Sequence, residues 1–173
     1  MTKAIYVDSC AFDALFALGI EPSEVNGDDF QLFVTREVKR ELDLIPERAD
    51  EPGKKAYIDR IANNGEIPER GYFGFGPEHH GFGSGVLADL SQTEFLEETA
   101  DQLGKPRPTG YPKNHTDRQL LSHSIAFAVL TAEPKLGNQA LMDAALSRDA
   151  RVIRITDFNP DTETFTEFLR RHY

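Results

Sequence analysis

Lys3-Ala4-Ile5-Tyr6-Val7-Asp8-Ser9-Cys10 is the stretch from which the fold is read. Residues Lys3 to Val7 read as a short buried strand, ended by the acid Asp8. The segment from Ser9 to Leu18 follows, with Phe12, Leu15, Phe16 and Leu18 at helical spacing and Gly19 as its stop. Strand, acid, helix is the opening of a βα unit. A carboxylate at the C-terminal end of such a strand projects into the crevice where open α/β sheets bind ligands.

The same alternation continues outward. Pro22-Ser23-Glu24 starts a short helix, and Phe30 to Val34 is apolar enough for a second strand. Thr35 makes an N-cap for a helix that places Val38, Leu42 and Ile45 on one face, with Pro46 ending the segment. Near the other end, Thr116-Asp117 starts a helix with Leu120, Leu121, Ser124, Ile125 and Ala128 on its apolar side, punctuated by Pro134 and Gly137. A helix from Asn138 to Arg148, a strand from Arg151 to Ile155 and a terminal helix from Thr164 to Arg171 complete the pattern. Strands at the start, near residue 30 and near residue 153, separated by helices, predict an α/β three-layer architecture.

Residues 47–113 differ in character and read as an insertion into one domain. Gly53 to Ala62 has partial helical spacing, Ser91-Gln92-Thr93-Glu94 resembles a capping box for a helix to about Leu103, and Lys105 to Lys113 is a proline-bearing connector. The Gly/Phe-rich 71–85 segment is too rich in glycine for a helix. It reads as a strand of alternating aromatics, a loop that stacks Phe73, Phe75 or Phe82 on unpaired bases, or a packing or oligomer contact.

A chain of 173 residues buries a sizeable core without disulfides, and the single cysteine, Cys10, excludes an intramolecular one, which predicts a reducing, cytoplasmic setting. No stretch approaches the ~20 apolar residues of a membrane span, and no secretory signal is expected. A formal net charge of −10 argues against a protein that coats nucleic acid through a broad basic surface. It leaves room for a nuclease, whose bound metal offsets part of an acidic centre.

Four acids stand where such a centre would need them: Asp8 after the first strand, Glu41 on the helix after the second, Asp117 at a helix start, and Asp157 after Val152-Ile153-Arg154-Ile155-Thr156. Converging carboxylates repel one another unless a cation lies between them, and oxygen-only ligands suit a hard ion, Mg²⁺ or Mn²⁺. Each acid also has a plain structural role open to it. Asp8 and Asp117 suit helix N-caps, Glu41 an exposed helix surface, and Asp157 a turn with Asn159-Pro160. His79-His80, without further spaced ligands, do not make a zinc site. Asp8-Ser9-Cys10 lacks the second Asp of an aspartyl-phosphate phosphatase.

Tyr6-Val7-Asp8-Ser9, the run Val34 to Leu42, Asn114-His115-Thr116-Asp117-Arg118-Gln119-Leu120-Leu121 and Ile153-Arg154-Ile155-Thr156-Asp157-Phe158, in this order, resemble the PIN domain ribonucleases. The resemblance covers the two ends of the chain and leaves most of 47–113 unmatched. It implies a parallel central sheet flanked by helices, with Mg²⁺ or Mn²⁺ held by Asp8, Glu41, Asp117 and Asp157. A metal-activated water would then hydrolyse RNA to leave a 5′-phosphate. Ser9 and Thr156 would orient ligand or water, and Arg36, Lys39 and Arg40 on the Glu41 helix would touch RNA or only offset the acidic surface. Glu37 competes with Glu41, and an alternative alignment over Gly137 to Ala145 offers Asp143 as the third acid. The setting implied is a toxin of a toxin–antitoxin pair or another bacterial RNA-processing or defence role, with an antitoxin and self-association as further partners. DNA as substrate and a non-catalytic interaction module remain the rivals.

Overall fold

The computed structural model describes residues 2–72 and 85–173, apart from the side chain of Asn63. The first half contains β1 (Lys3–Val7), α1 (Ala11–Leu18), β2 (Phe30–Phe33), α2 (Arg36–Asp43) and α3 (Lys54–Asn63). Then come β3 (Gly71–Tyr72), β4 (Gly85–Val86), α4 (Leu90–Glu98) and α5 (His115–Ala126). The chain closes with β5 (Ala128–Thr131), α6 (Gln139–Leu146), β6 (Arg151–Arg154) and α7 (Phe165–His172). Short 3₁₀ turns cover Pro22–Glu24, Ala100–Gln102 and Ile155–Asp157.

The main sheet is parallel and four-stranded, in the order β2-β1-β5-β6, and is flanked by helices. β3 and β4 pair separately, also in parallel. From β1 the chain steps to β2 on one side, and it later returns to β5 on the other. The carboxyl ends of β1 and β5 therefore meet at the point where strand order reverses, the place where open α/β sheets bind ligands.

Local signals explain most elements. Thr35 caps α2 by accepting from the Val38 N–H, Asn138 caps α6 through the Leu141 N–H, and Thr164 forms a capping box with Glu167 over α7. The α4 capping box belongs to Asp89 and Gln92 rather than to the Ser91 tetrad. That helix stops at Glu98, before the expected end near Leu103. Asp89 wins because its carboxylate accepts from the Gln92 N–H at 2.8 Å while the Gln92 side chain accepts from the Asp89 N–H at 3.0 Å.

The larger departure concerns the helix expected to carry Ala128. It ends at Ala126, and Ala128–Thr131 is strand β5. All four β5 residues are buried, so the segment shows neither the alternation of a half-exposed strand nor a break from the apolar helix before it.

One hydrophobic cluster joins the sheet to its helices. Phe12 and Leu15 of α1, Leu120 and Leu121 of α5, and Phe168 and Leu169 of α7 are all at most 1% exposed. Each such side chain contributes about 1.5–3 kcal/mol by leaving water. The 47–113 region is not appended to this core but shares it. Ile58, Ile61, Ile67 and Phe95 belong to the same cluster. Among the described residues, no helix is long and apolar enough to cross a membrane.

Candidate functional site

A cavity of about 450 Å³ opens at the carboxyl ends of β1 and β5. Asp8 follows β1, Glu41 comes from α2, Asp117 from the first turn of α5, and Glu133 from the segment just after β5; all four line it.

Asp8 is 5% exposed and tightly held. Its N–H continues the β1–β5 ladder by donating to the Leu130 carbonyl at 2.9 Å. Its Oδ1 accepts from the Ser9 N–H at 2.7 Å, and its Oδ2 from the Thr131 hydroxyl and the Cys10 thiol, both at 2.8 Å. Burial, then the Asp8 charge, pushes the Cys10 thiol up to about 12, so it stays protonated and acts as a donor to Asp8. Glu41 accepts from the Ser9 hydroxyl at 2.8 Å and from the Thr116 hydroxyl at 2.7 Å. Ser9 therefore couples the two carboxylates, through its backbone to one and its side chain to the other.

Asp117 is different. It accepts no hydrogen bond from the described residues, and its carboxyl is pushed up to about 6. Burial is the main cause, followed by the charges of Asp8, Glu133 and Glu41; Arg107 pulls the other way. The backbone beneath it is close-packed. Gly137 has φ +65°, and a Cβ there would stand 3.2 Å from the Asp117 Cβ and 3.0 Å from Leu141 Cδ1.

The expected site residues separate into two groups. Asp8, Ser9, Glu41 and Asp117 are brought together. The N-cap of α5 is Asn114 and that of α1 is Cys10, so neither Asp117 nor Asp8 occupies the cap position its structural reading supposed. Asp157 and Thr156 are exposed and do not line the cavity, and Asp157 pairs with Arg154 at 3.4 Å. β6 is the edge strand, one position removed from the β1–β5 junction, and this displaces its C-terminal end from the cluster. Glu37 is buried outside the cavity lining, its Oε1 3.6 Å from His115 Nε2, which is beyond hydrogen-bond reach. Its carboxyl lies below the usual range because His115, its own N–H and the Thr35 hydroxyl outweigh the opposing effect of burial. Asp143 is exposed on α6, where it accepts from Gln139 at 2.8 Å.

Among the basic candidates, Arg36 and Lys39 face Glu69, at 3.5 and 3.8 Å, and Arg40 donates through Nε to the Thr109 carbonyl. None of the three lines the cavity. Phe73, Phe75, Phe82 and His79-His80 lie outside the described residues.

Glu133 and Thr131 were missed. Their signal was present in Ala128-Val129-Leu130-Thr131-Ala132-Glu133, an apolar run closed by a hydroxyl and an acid, like Val152-Ile153-Arg154-Ile155-Thr156-Asp157. Reading the run as the end of a helix concealed it.

The donor set suits a hard cation, because every carboxylate in the cavity offers oxygen and the mutual repulsion felt at Asp117 is relieved by positive charge. As they stand, however, no three His, Cys, Asp or Glu side chains among the described residues form a ready ligand group. The Asp8 and Glu41 oxygens are engaged by protein donors instead. Asp8 Oδ1 and both Glu41 oxygens each accept only one such bond from the described residues, so each keeps a lone pair for an ion in the orientation these bonds set. No family model matches the chain, and no curated protein matches it.

Proposed function

We propose that this protein is a PIN-like endoribonuclease dependent on Mg²⁺ or Mn²⁺. The observation that carries the reading is the convergence of Asp8, Glu41, Asp117 and Glu133, from four separate segments, on one cavity at the switch point of a parallel sheet. In this reading Glu133, after the central strand β5, takes the place that the sequence alone assigned to Asp157.

A divalent ion held by Asp8, Glu41, Asp117 and Glu133 would supply an activated water and would neutralise charge developing at phosphorus. The protein's own groups set the geometry. The Ser9 N–H, the Thr131 hydroxyl and the Cys10 thiol aim Asp8. The Ser9 and Thr116 hydroxyls aim Glu41. Such supporting bonds hold ligating carboxylates in orientation. With its carboxyl near 6, Asp117 is ionised at neutral pH and ready to take a cation, and it releases its proton to do so in mildly acidic solution.

The test is incubation of RNA and DNA oligonucleotides with Mn²⁺, Mg²⁺ or EDTA, comparing wild type with Asp8→Asn and Glu133→Gln. Two variants are needed because Asp8 is buried and its replacement could act through folding. Metal-dependent RNA cleavage that both variants lose supports the proposal. Cleavage of DNA alone redirects it to a DNA nuclease. No cleavage, with no Mn²⁺ binding by calorimetry, replaces it with a non-catalytic interaction module.

A further inference from the structure

Residues 104–113 form a hairpin over the cavity. The Gly104 N–H donates to the Lys113 carbonyl at 3.0 Å, the Lys113 N–H to Lys105 at 2.9 Å, and the Arg107 N–H to Tyr111 at 2.8 Å. The hairpin is fastened from below. Arg40 Nε donates to the Thr109 carbonyl, and the Tyr111 ring stacks on buried His115 with centroids 5.0 Å apart and planes 8° from parallel. Gly104 allows the two arms to meet, since a Cβ there would stand 2.9 Å from the Lys113 Cβ.

This hairpin sets two cations, Arg107 and Lys113, on the wall of a cavity whose remaining charges are carboxylates. Both are exposed, and neither side chain forms an ion pair or hydrogen bond with a described residue. Arg60, Arg148, Arg154 and Arg170 each reach a carboxylate, whereas Lys105 and Lys135 share the unpaired state among the described residues; Arg107 and Lys113 differ from those two in lining the cavity. A ligand that satisfies both walls must carry one anionic group for the acidic cluster, bridged by a cation, and further anionic groups spaced along a flexible chain for the hairpin. A polynucleotide backbone has that repeat. A cavity of about 450 Å³ is the size of a small-ligand site and accommodates a few groups of one strand.

We propose that the 104–113 hairpin is a phosphate-gripping arm, with Arg107 and Lys113 binding the phosphates of a single-stranded polynucleotide that flank the one at the acidic cluster. This rests on the nuclease reading for its substrate but not for its test.

The test is fluorescence anisotropy of a labelled single-stranded RNA oligonucleotide in Ca²⁺, across about 50 to 200 mM salt, with cleavage in Mn²⁺ measured in parallel. Arg107→Gln/Lys113→Gln should weaken binding about tenfold at low salt and flatten the log–log salt dependence by about 1.4, at about 0.7 per phosphate contact. Lys105→Gln, on the same hairpin but outside the cavity lining, should leave that slope unchanged. Wild-type binding with an unchanged slope in the double variant overturns the arm, and so do an equal loss from Lys105→Gln, equal affinity for duplex RNA, or no binding by the wild type. RNA cleavage alongside any of these keeps the nuclease reading. Binding with the expected loss of slope but no cleavage in any metal keeps the arm and overturns the nuclease reading.

Discussion

Replacing Asp117 with Asn should stabilise the metal-free protein at alkaline pH, and the size of the effect follows from the site. In the folded chain its carboxyl sits at about 6 against an ordinary 3.8. A folded value raised above the unfolded one means that the folded protein holds a proton the unfolded chain has already released. Stability therefore falls as pH rises from about 3.8 to about 6, and the full penalty remains above that. At about 1.4 kcal/mol per pH unit the penalty is about 3 kcal/mol at pH 8 and about 1 kcal/mol at pH 4.5. Asn keeps the shape without the charge. Allowing for the cost of burying an amide, Asp117→Asn should gain about 1.5–3 kcal/mol at pH 8 and at most about 1 kcal/mol at pH 4.5. The assay is urea denaturation in EDTA at both pH values, read by circular dichroism. A variant less stable than wild type at pH 8, or a difference that does not change with pH, would refute the claim that Asp117 is held against burial and the charges around it. Mn²⁺ at about a thousand times its Kd should reverse the order, since it adds about 4.1 kcal/mol to the protein that binds it.

Three further outcomes are expected. Glu133→Gln should lower Mn²⁺ affinity about tenfold or more by calorimetry while Asp157→Asn leaves it unchanged, because only Glu133 lines the cavity; the opposite result would restore the edge-strand acid. Gly137→Ala should destabilise by about 1–2 kcal/mol in a urea melt, because the left-handed backbone there is strained by a Cβ that would also press on Asp117. A wild-type melting midpoint in that variant would contradict the close approach. Cys10, raised from 9.0 to about 12, should react with iodoacetamide about a thousandfold more slowly than an ordinary thiol in the folded protein and at a normal rate in urea, which mass spectrometry would follow.

Much of this protein is decided within a few residues of chain. Lys3–Val7, Phe30–Phe33 and Arg151–Arg154 are strands, and Thr35, Asn138 and Thr164 start helices, because periodicity and capping act between near neighbours. Asp8, Glu41 and Asp117 were legible for the same reason, each standing at the end or start of an element or on its edge.

What tertiary structure alone decided was which elements become neighbours. β5 is buried in the middle of the sheet, so its sequence is as uniformly apolar as the helix that leads into it, and no local signal separates the two. Its position beside β1 brings Thr131 to Asp8 across 123 residues of chain and sets Glu133 in the cavity, whereas Asp157, also an acid shortly after a strand, follows the edge strand and lies outside the cavity. The cations follow the same rule. Arg36 and Lys39 lie beside Glu41 in sequence but face Glu69, while Arg107 and Lys113, far from Asp8 and Glu41 in sequence, line the cavity with them. Charges act through space, and strand order sets the distances.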